Sequence, residues 1–142
     1  VERALAGKLV SWADSDSGSL ALILLLDQFT RNIFRDTPRA FSGDEKALEL
    51  SFLCEENGYL ANADTHWCHF MLMPRMHSED IAVQDASLPL FKKRNVQNVY
   101  DYAVRHRDTV ARFGRFPHRN SILGRSSTNE ELEFLTQADS SF

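Results

Sequence analysis

Cysteine is scarce in this chain: Cys54 and Cys68 are its only two among 142 residues. Two thiols in apolar, helix-like surroundings are too few to staple a disulfide scaffold. They read as buried free cysteines in a reducing, cytoplasmic compartment. Long apolar runs are lacking as well. The longest, Leu20 to Leu26, falls far short of the ~18–20 residues that span a bilayer. It has neither the basic start nor the small-residue cleavage site of a signal peptide. No membrane partner is expected.

Strand signals are missing too, since no hairpin turn sits between alternating β-branched runs. The chemical signatures that would announce a reaction are absent in turn. There is no Gly-x-Ser-x-Gly elbow, no Gly-x-x-x-x-Gly-Lys phosphate loop, and no His-Glu-x-x-His or Cys-x-x-Cys metal motif. His66 and His69 share a helical face without a third ligand, so no metal and no cofactor are expected. Positive charge is not in excess either: 16 Lys and Arg stand against 20 Asp and Glu, a net of −4. That balance argues against a nucleic-acid partner for the molecule as a whole. Nothing in the residues fixes an oligomeric state.

What is present is helical spacing. With 43% hydrophobic and 25% charged residues, the composition is that of a globular protein, and one helical domain over residues 1–142 is expected. A first helix is expected over Val1 to Ala13, with Leu5, Leu9 and Trp12 on one face. The chain opens inside that amphipathic pattern, which suggests that an N-terminal helix is lacking. A second helix, Leu20 to Arg35, is apolar all round at its start and should be central. Ser42-Gly-Asp-Glu45 reads as a capping box opening a third helix that ends at Gly58. Asp64 or Thr65 starts a helix that Pro74 should end, with Trp67, Phe70 and Met71 inward. Ser78 should cap the next, and Pro89 should kink or end it. Val96 to Arg112 forms another, with Val99, Ala103, His106, Val110 and Phe113 on one face. Thr128-Asn-Glu-Glu131 is a second capping box, leading into Leu132 and Leu135. Short helices with short connections predict an all-α stack.

Three polar constellations interrupt the apolar pattern. Gln28, Arg31, Asn32 and Arg35 fall at i, i+3, i+4 and i+7 of the second helix, and Asp27 precedes Arg31 in the favourable acid-first order. Two arginines beside a buried stretch need carboxylates or an anionic ligand to offset desolvation. The stripe therefore either ties helices together or walls a site. In His77-Ser78-Glu79-Asp80, a histidine before two carboxylates suits proton transfer, or merely the start of a helix. His106, alone on an apolar face, reads as a hydrogen-bonded core histidine.

The richest stretch is Phe113-Gly-Arg-Phe-Pro-His-Arg-Asn-Ser-Ile-Leu-Gly-Arg125. From Arg105 to Arg125 there are six arginines and one acid, Asp108. Arg115, His118, Arg119 and Asn120 can satisfy irregular backbone or face an anion. Pro117 at a first helical position would aim the N–H groups of His118 to Asn120 at that anion. Phe113 and Phe116 could stack bases, though a buried packing corner explains them more simply.

These motifs carry a resemblance. Leu26-Asp-Gln-Phe-Thr-Arg-Asn-Ile-Phe-Arg35, Met76-His-Ser-Glu-Asp80 and Phe113-Gly-Arg-Phe-Pro-His-Arg-Asn120 with Leu123-Gly-Arg125 resemble an uncharacterised bacterial family, a domain of unknown function. The resemblance spans essentially the whole chain. It implies antiparallel helices in a TPR-like α–α superhelix and brings no established activity or catalytic residues. Members usually carry proline where Thr30 stands here, and begin with a Trp-Phe-containing helix ahead of the position of Val1.

The expectation is a helical binding protein of unassigned biochemical role. Its polar cleft would hold Gln28, Arg31, Asn32, Arg35, His77, Glu79, Arg115, His118, Arg119 and Asn120, and would take a small anion or an acidic peptide or protein end. The alternative is a hydrolase acting on an anionic substrate, with His77 or His118 as acid/base.

Overall fold

A computed structural model describes residues 1–142. Every regular element is helical: α1 (Glu2–Leu5), α2 (Asp16–Ile23), α3 (Thr30–Ile33), α4 (Asp44–Glu56), α5 (Tyr59–Asn62), α6 (Thr65–Met76), α7 (Ile81–Arg94), α8 (Gln97–Phe113) and α9 (Asn129–Leu135), with no strand. The all-α class is the one the spacing predicts. No helix is long and apolar enough to cross a membrane.

The apolar helix near the N-terminus is central, as its composition requires. Leu20, Leu22, Ile23 and Leu26 are buried, and α2 packs on α4, on α6 and on the 3-10 turn Val10–Asp14. It starts earlier than expected, at Asp16, because Ser15 accepts the Gly18 N–H as a cap. A π-helical segment, Leu24–Phe29, joins α2 to α3. Such wide turns cluster at functional sites, and here the turn carries the buried Asp27. Thr30 stabilises it by donating its hydroxyl to the Leu26 carbonyl at 2.7 Å. The core continues through Ala47 and Cys54 of α4, Cys68, Met71 and Leu72 of α6, and Phe91 of α7. Both cysteines are free and buried; burial, foremost, pushes the Cys54 thiol up to about 11.

Several local expectations are overturned. The first helix breaks after Leu5 because Gly7 takes φ +71°, a left-handed conformation that ends helices, and Trp12 is left 43% exposed. The Ser42 capping box does not form: Ser42 donates to the Arg39 carbonyl, and Asp44 turns to Arg31. Gly43 stands at the N-cap because helix α4 starts hard against the π segment. A Cβ there would lie 2.2 Å from the Leu26 carbonyl oxygen. Asp80, not Ser78, caps α7, accepting the Ala82 N–H at 2.8 Å.

Neither proline ends its helix. Pro74 falls in the last turn of α6. Pro89 lies on the exposed side of α7, and the carbonyl it deprives belongs to Asp85, itself exposed to water. The Thr128–Glu131 capping box does form. It buries Glu131 and leaves Leu132 53% exposed, the reverse of the hydrophobic reading, because Arg115 and Asn120 approach from that side.

Candidate functional site

Between the α3 end of the central helix and the Phe116–Ile122 loop lies a cleft of about 490 Å³. Arg31, Asn32 and Arg35 enter it from the α3 stripe, and His77 from the α6–α7 connection. His106 comes from α8, Phe116, His118 and Arg119 from the loop, and Phe142 from beyond α9. Six of the residues singled out from sequence are thus brought to one hollow: Arg31, Asn32, Arg35, His77, His118 and Arg119.

Asp27 organises this wall. It is fully buried, and one carboxylate oxygen lies 2.6 Å from His77 Nδ1 and 3.1 Å from an Arg31 nitrogen. The other accepts from the Gln28 amide at 2.6 Å. Burial pushes its pKa up, but His77 and then Arg31 outweigh that, and the carboxyl is held down at about 2. The sequence offered two signals for it: an acid directly after a seven-residue apolar run, and the acid-first spacing to Arg31 that the 3.1 Å contact bears out.

Arg31 forks onto Asp44 at 2.7 and 2.9 Å, and with Asp27 beside it, its charge is met from within. Arg119 is different. It is 6% exposed, donates to the His77 carbonyl at 2.9 Å, and reaches a carboxylate only at 3.7 Å, on Asp44. Its guanidinium lies over the Phe41 and Phe116 rings, 4.8 and 4.6 Å from their centroids, and its buried Nε has no partner. Burial foremost, then Arg31, lowers its pKa to about 10, so it stays charged at neutral pH. Arg35 has only the Asn32 side-chain amide oxygen, at 3.4 Å, and no carboxylate within ion-pair distance. Asp36 also lines the cleft.

The histidines differ in state. His106 Nδ1 lies 2.7 Å from the Tyr102 carbonyl oxygen. A carbonyl only accepts, so that nitrogen carries the proton. Burial above all lowers the His106 pKa to about 3. His106 is the hydrogen-bonded core histidine that its apolar face predicts, and its ring also lines the cleft. His118 is held down at about 4 by burial and then by Arg119, and its buried Nδ1 has no partner.

Gln28, Glu79, Arg115 and Asn120 do not line this cleft. Gln28 spends its amide on Asp27 and on the Met73 sulfur. Glu79 clamps the loop: it accepts the Phe116 N–H at 2.7 Å and a bidentate fork from Arg125 at 2.7 and 2.9 Å. Burial opposes ionisation there, but Arg125 and the Phe116 N–H together hold the Glu79 carboxyl below its ordinary value. Arg115 forks onto buried Glu131 at 2.8 and 2.9 Å. Asn120 is buried, linking Arg125, Ser127 and Glu131. These four are framework, not wall.

Of the three N–H groups expected to form an anion site behind Pro117, two are taken within the turn. Pro117 does open a short 3-10 turn, but the Arg119 and Asn120 N–H groups bond the Phe116 and Pro117 carbonyls. No group of three His, Cys, Asp or Glu side chains is assembled that could hold a metal ion.

Comparison with known proteins agrees with this architecture. No curated protein matches the chain. A solved structure of a protein of unknown function from Agrobacterium tumefaciens is similar at 38% identity with a TM-score of 0.89, over 94% of this chain and 75% of that one. The model of a bacterial protein family of unknown function, DUF924, matches residues 1–139. With both the family model and a solved relative spanning nearly its whole length, the chain belongs to the DUF924 family of bacterial proteins of unknown function.

Proposed function

We propose that the protein binds a small anion, or the carboxylate end of an acidic peptide, in the Arg31–Arg35–Arg119 cleft. The observation that carries this reading is Arg119. A buried guanidinium with an unpartnered Nε and no close carboxylate is costly, and an anion in the cleft would satisfy it. Arg35, exposed at the same wall, adds a second cation, with only the Asn32 amide oxygen as a partner. The TPR-like stacking that the family resemblance implies suits a concave binding surface of this kind.

Calorimetric titration with inorganic phosphate and with acetate tests the reading. Wild-type protein binds at least one of them, and Arg35→Gln weakens that binding about tenfold, the loss of one charge-assisted contact, with little change in melting temperature. Arg31 is a poorer probe, because its substitution also strands Asp27 and Asp44. Heats no larger than dilution, or full affinity in Arg35→Gln, overturn the proposal.

A second reading has its own observation, the buried Asp27 at 2.6 Å from His77. A carboxylate that orients an imidazole beside arginines is an arrangement for acid/base work on an anionic substrate. His77 would be the proton carrier, with His118, whose Nδ1 has no partner, as the alternative. Turnover of p-nitrophenyl phosphate or a p-nitrophenyl ester that disappears in His77→Gln while anion binding persists supports the hydrolase. No turnover above buffer leaves the binding reading alone.

A further inference from the structure

The cleft has one acid among its lining residues, Asp36. It stands where local energetics least favour it. The continuous helical run from Asp16 through Ile33 ends shortly before it. Its carboxylate therefore lies at the negative end of the helix dipole, which stabilises cations and not acids. Its φ of +62° is left-handed, a conformation that glycine or asparagine usually supplies at helix ends.

An aspartate tolerates that backbone when its side chain hydrogen-bonds locally. Here the nearest donors along the chain are turned elsewhere. The Asn32 amide donates to the Gln28 carbonyl at 3.0 Å, Arg35 to the Asn32 side chain at 3.4 Å, and the Thr37 hydroxyl to the Phe34 carbonyl at 2.7 Å. Asp36 is left exposed and unpaired beside the arginine wall.

Most other charge in the cleft is already met. Arg31 is answered by Asp27 and Asp44, and His77 is held by Asp27. Burial foremost keeps His106 and His118 unprotonated at neutral pH. The charges left to a ligand are those of Arg35, Arg119 and Asp36. A plain anion drawn to the first two is repelled by the third. A ligand that also carries an ammonium group turns that repulsion into attraction.

We infer that the ligand is a small anion bearing a primary ammonium group, an amino acid or an amino phosphate, and that Asp36 is the residue that selects the ammonium. The inference rests on the anion-binding reading above and narrows its ligand class. The arginine wall takes the carboxylate or phosphate, and Asp36 accepts from the ammonium N–H groups in a charge-assisted bond.

Matched pairs that differ only by the amine test it: acetate with glycine, propionate with β-alanine, butyrate with γ-aminobutyrate, and ethyl phosphate with phosphoethanolamine. Each is titrated calorimetrically into wild type, Asp36→Asn and Asp36→Gly. At one or more of these spacings the aminated member binds wild type about fivefold tighter than its partner, the gain of a solvent-exposed ion pair. In Asp36→Asn that preference shrinks to within about twofold, while the plain anions bind equally or more tightly because the repulsion is gone. Asparagine suits the left-handed position, so the fold is retained. Asp36→Gly, which suits it better still, carries the test should Asp36→Asn fold poorly or hydrogen-bond the amine itself. Equal affinity within every pair in wild type, or a preference for the amine that persists in both variants, overturns the inference while the simple-anion site stands. Absence of binding by every compound overturns the anion-binding reading and this one with it.

Discussion

The Nδ1 of His77 lies 2.6 Å from the Oδ1 of Asp27, although fifty residues separate them in the chain. The pair fastens the α6–α7 connection to the π segment of the central helix. Because the His77 carbonyl also accepts from Arg119, it sets the position of the buried cation across the cleft.

Asp27→Asn removes the charge that His77 and Arg31 answer. A buried carboxyl lowered from 3.8 to about 2 stabilises the fold by about 2 kcal/mol. That contribution is fully present above pH 3.8 and is lost as pH falls through about 2. Denaturant melts at neutral pH should show Asp27→Asn destabilised by at least this amount. Between pH 4 and 2 the variant should lose less further stability than wild type; parallel acid curves would show that Asp27 is not the group responsible.

Gly43→Ala forces a Cβ to within 2.2 Å of the Leu26 carbonyl oxygen, with two more Leu26 backbone atoms inside 3 Å. Backbone cannot swing aside as a side chain does, so a loss of about 2–3 kcal/mol is expected. Gly7→Ala is the control, since its Cβ meets nothing within 4 Å and only the positive φ is strained, at about 1 kcal/mol. Melting temperatures of the two variants should rank in that order.

Glu79→Gln strips the Phe116–Ile122 loop of its clamp, leaving Arg125 and the Phe116 N–H without their carboxylate. Both partners of the ion pair are about a quarter exposed, so solvent moderates the penalty to about 2 kcal/mol. Anion affinity should also fall, because Phe116 and Arg119 ride on this loop. A variant that loses stability but keeps full anion affinity would show the loop to be held by Glu131 instead.

Thr30→Val keeps the shape of a fully buried side chain and deletes the hydroxyl that caps the Leu26 carbonyl. About 1 kcal/mol of stability should be lost. Amide hydrogen exchange should quicken in residues 24–29 ahead of the rest of the core, whereas uniform quickening would mean that the π segment has no separate stability.

The helical class, the central apolar helix, and the caps at Asp64 and Thr128 were legible in the residues, because each depends on contacts three or four positions apart. Arg31, Asn32 and Arg35 were likewise bound to share a face. Which arginines are already satisfied was a different matter. Arg31 meets Asp44 thirteen residues away, Arg115 meets Glu131 sixteen away, and Arg125 meets Glu79 forty-six away. Local spacing holds no information about such partners. Sequence determined where cations and rings are plentiful; the folded chain decided, through pairings distant along it, that Arg119 and Arg35 face the hollow without a close carboxylate while their neighbours are locked into the frame.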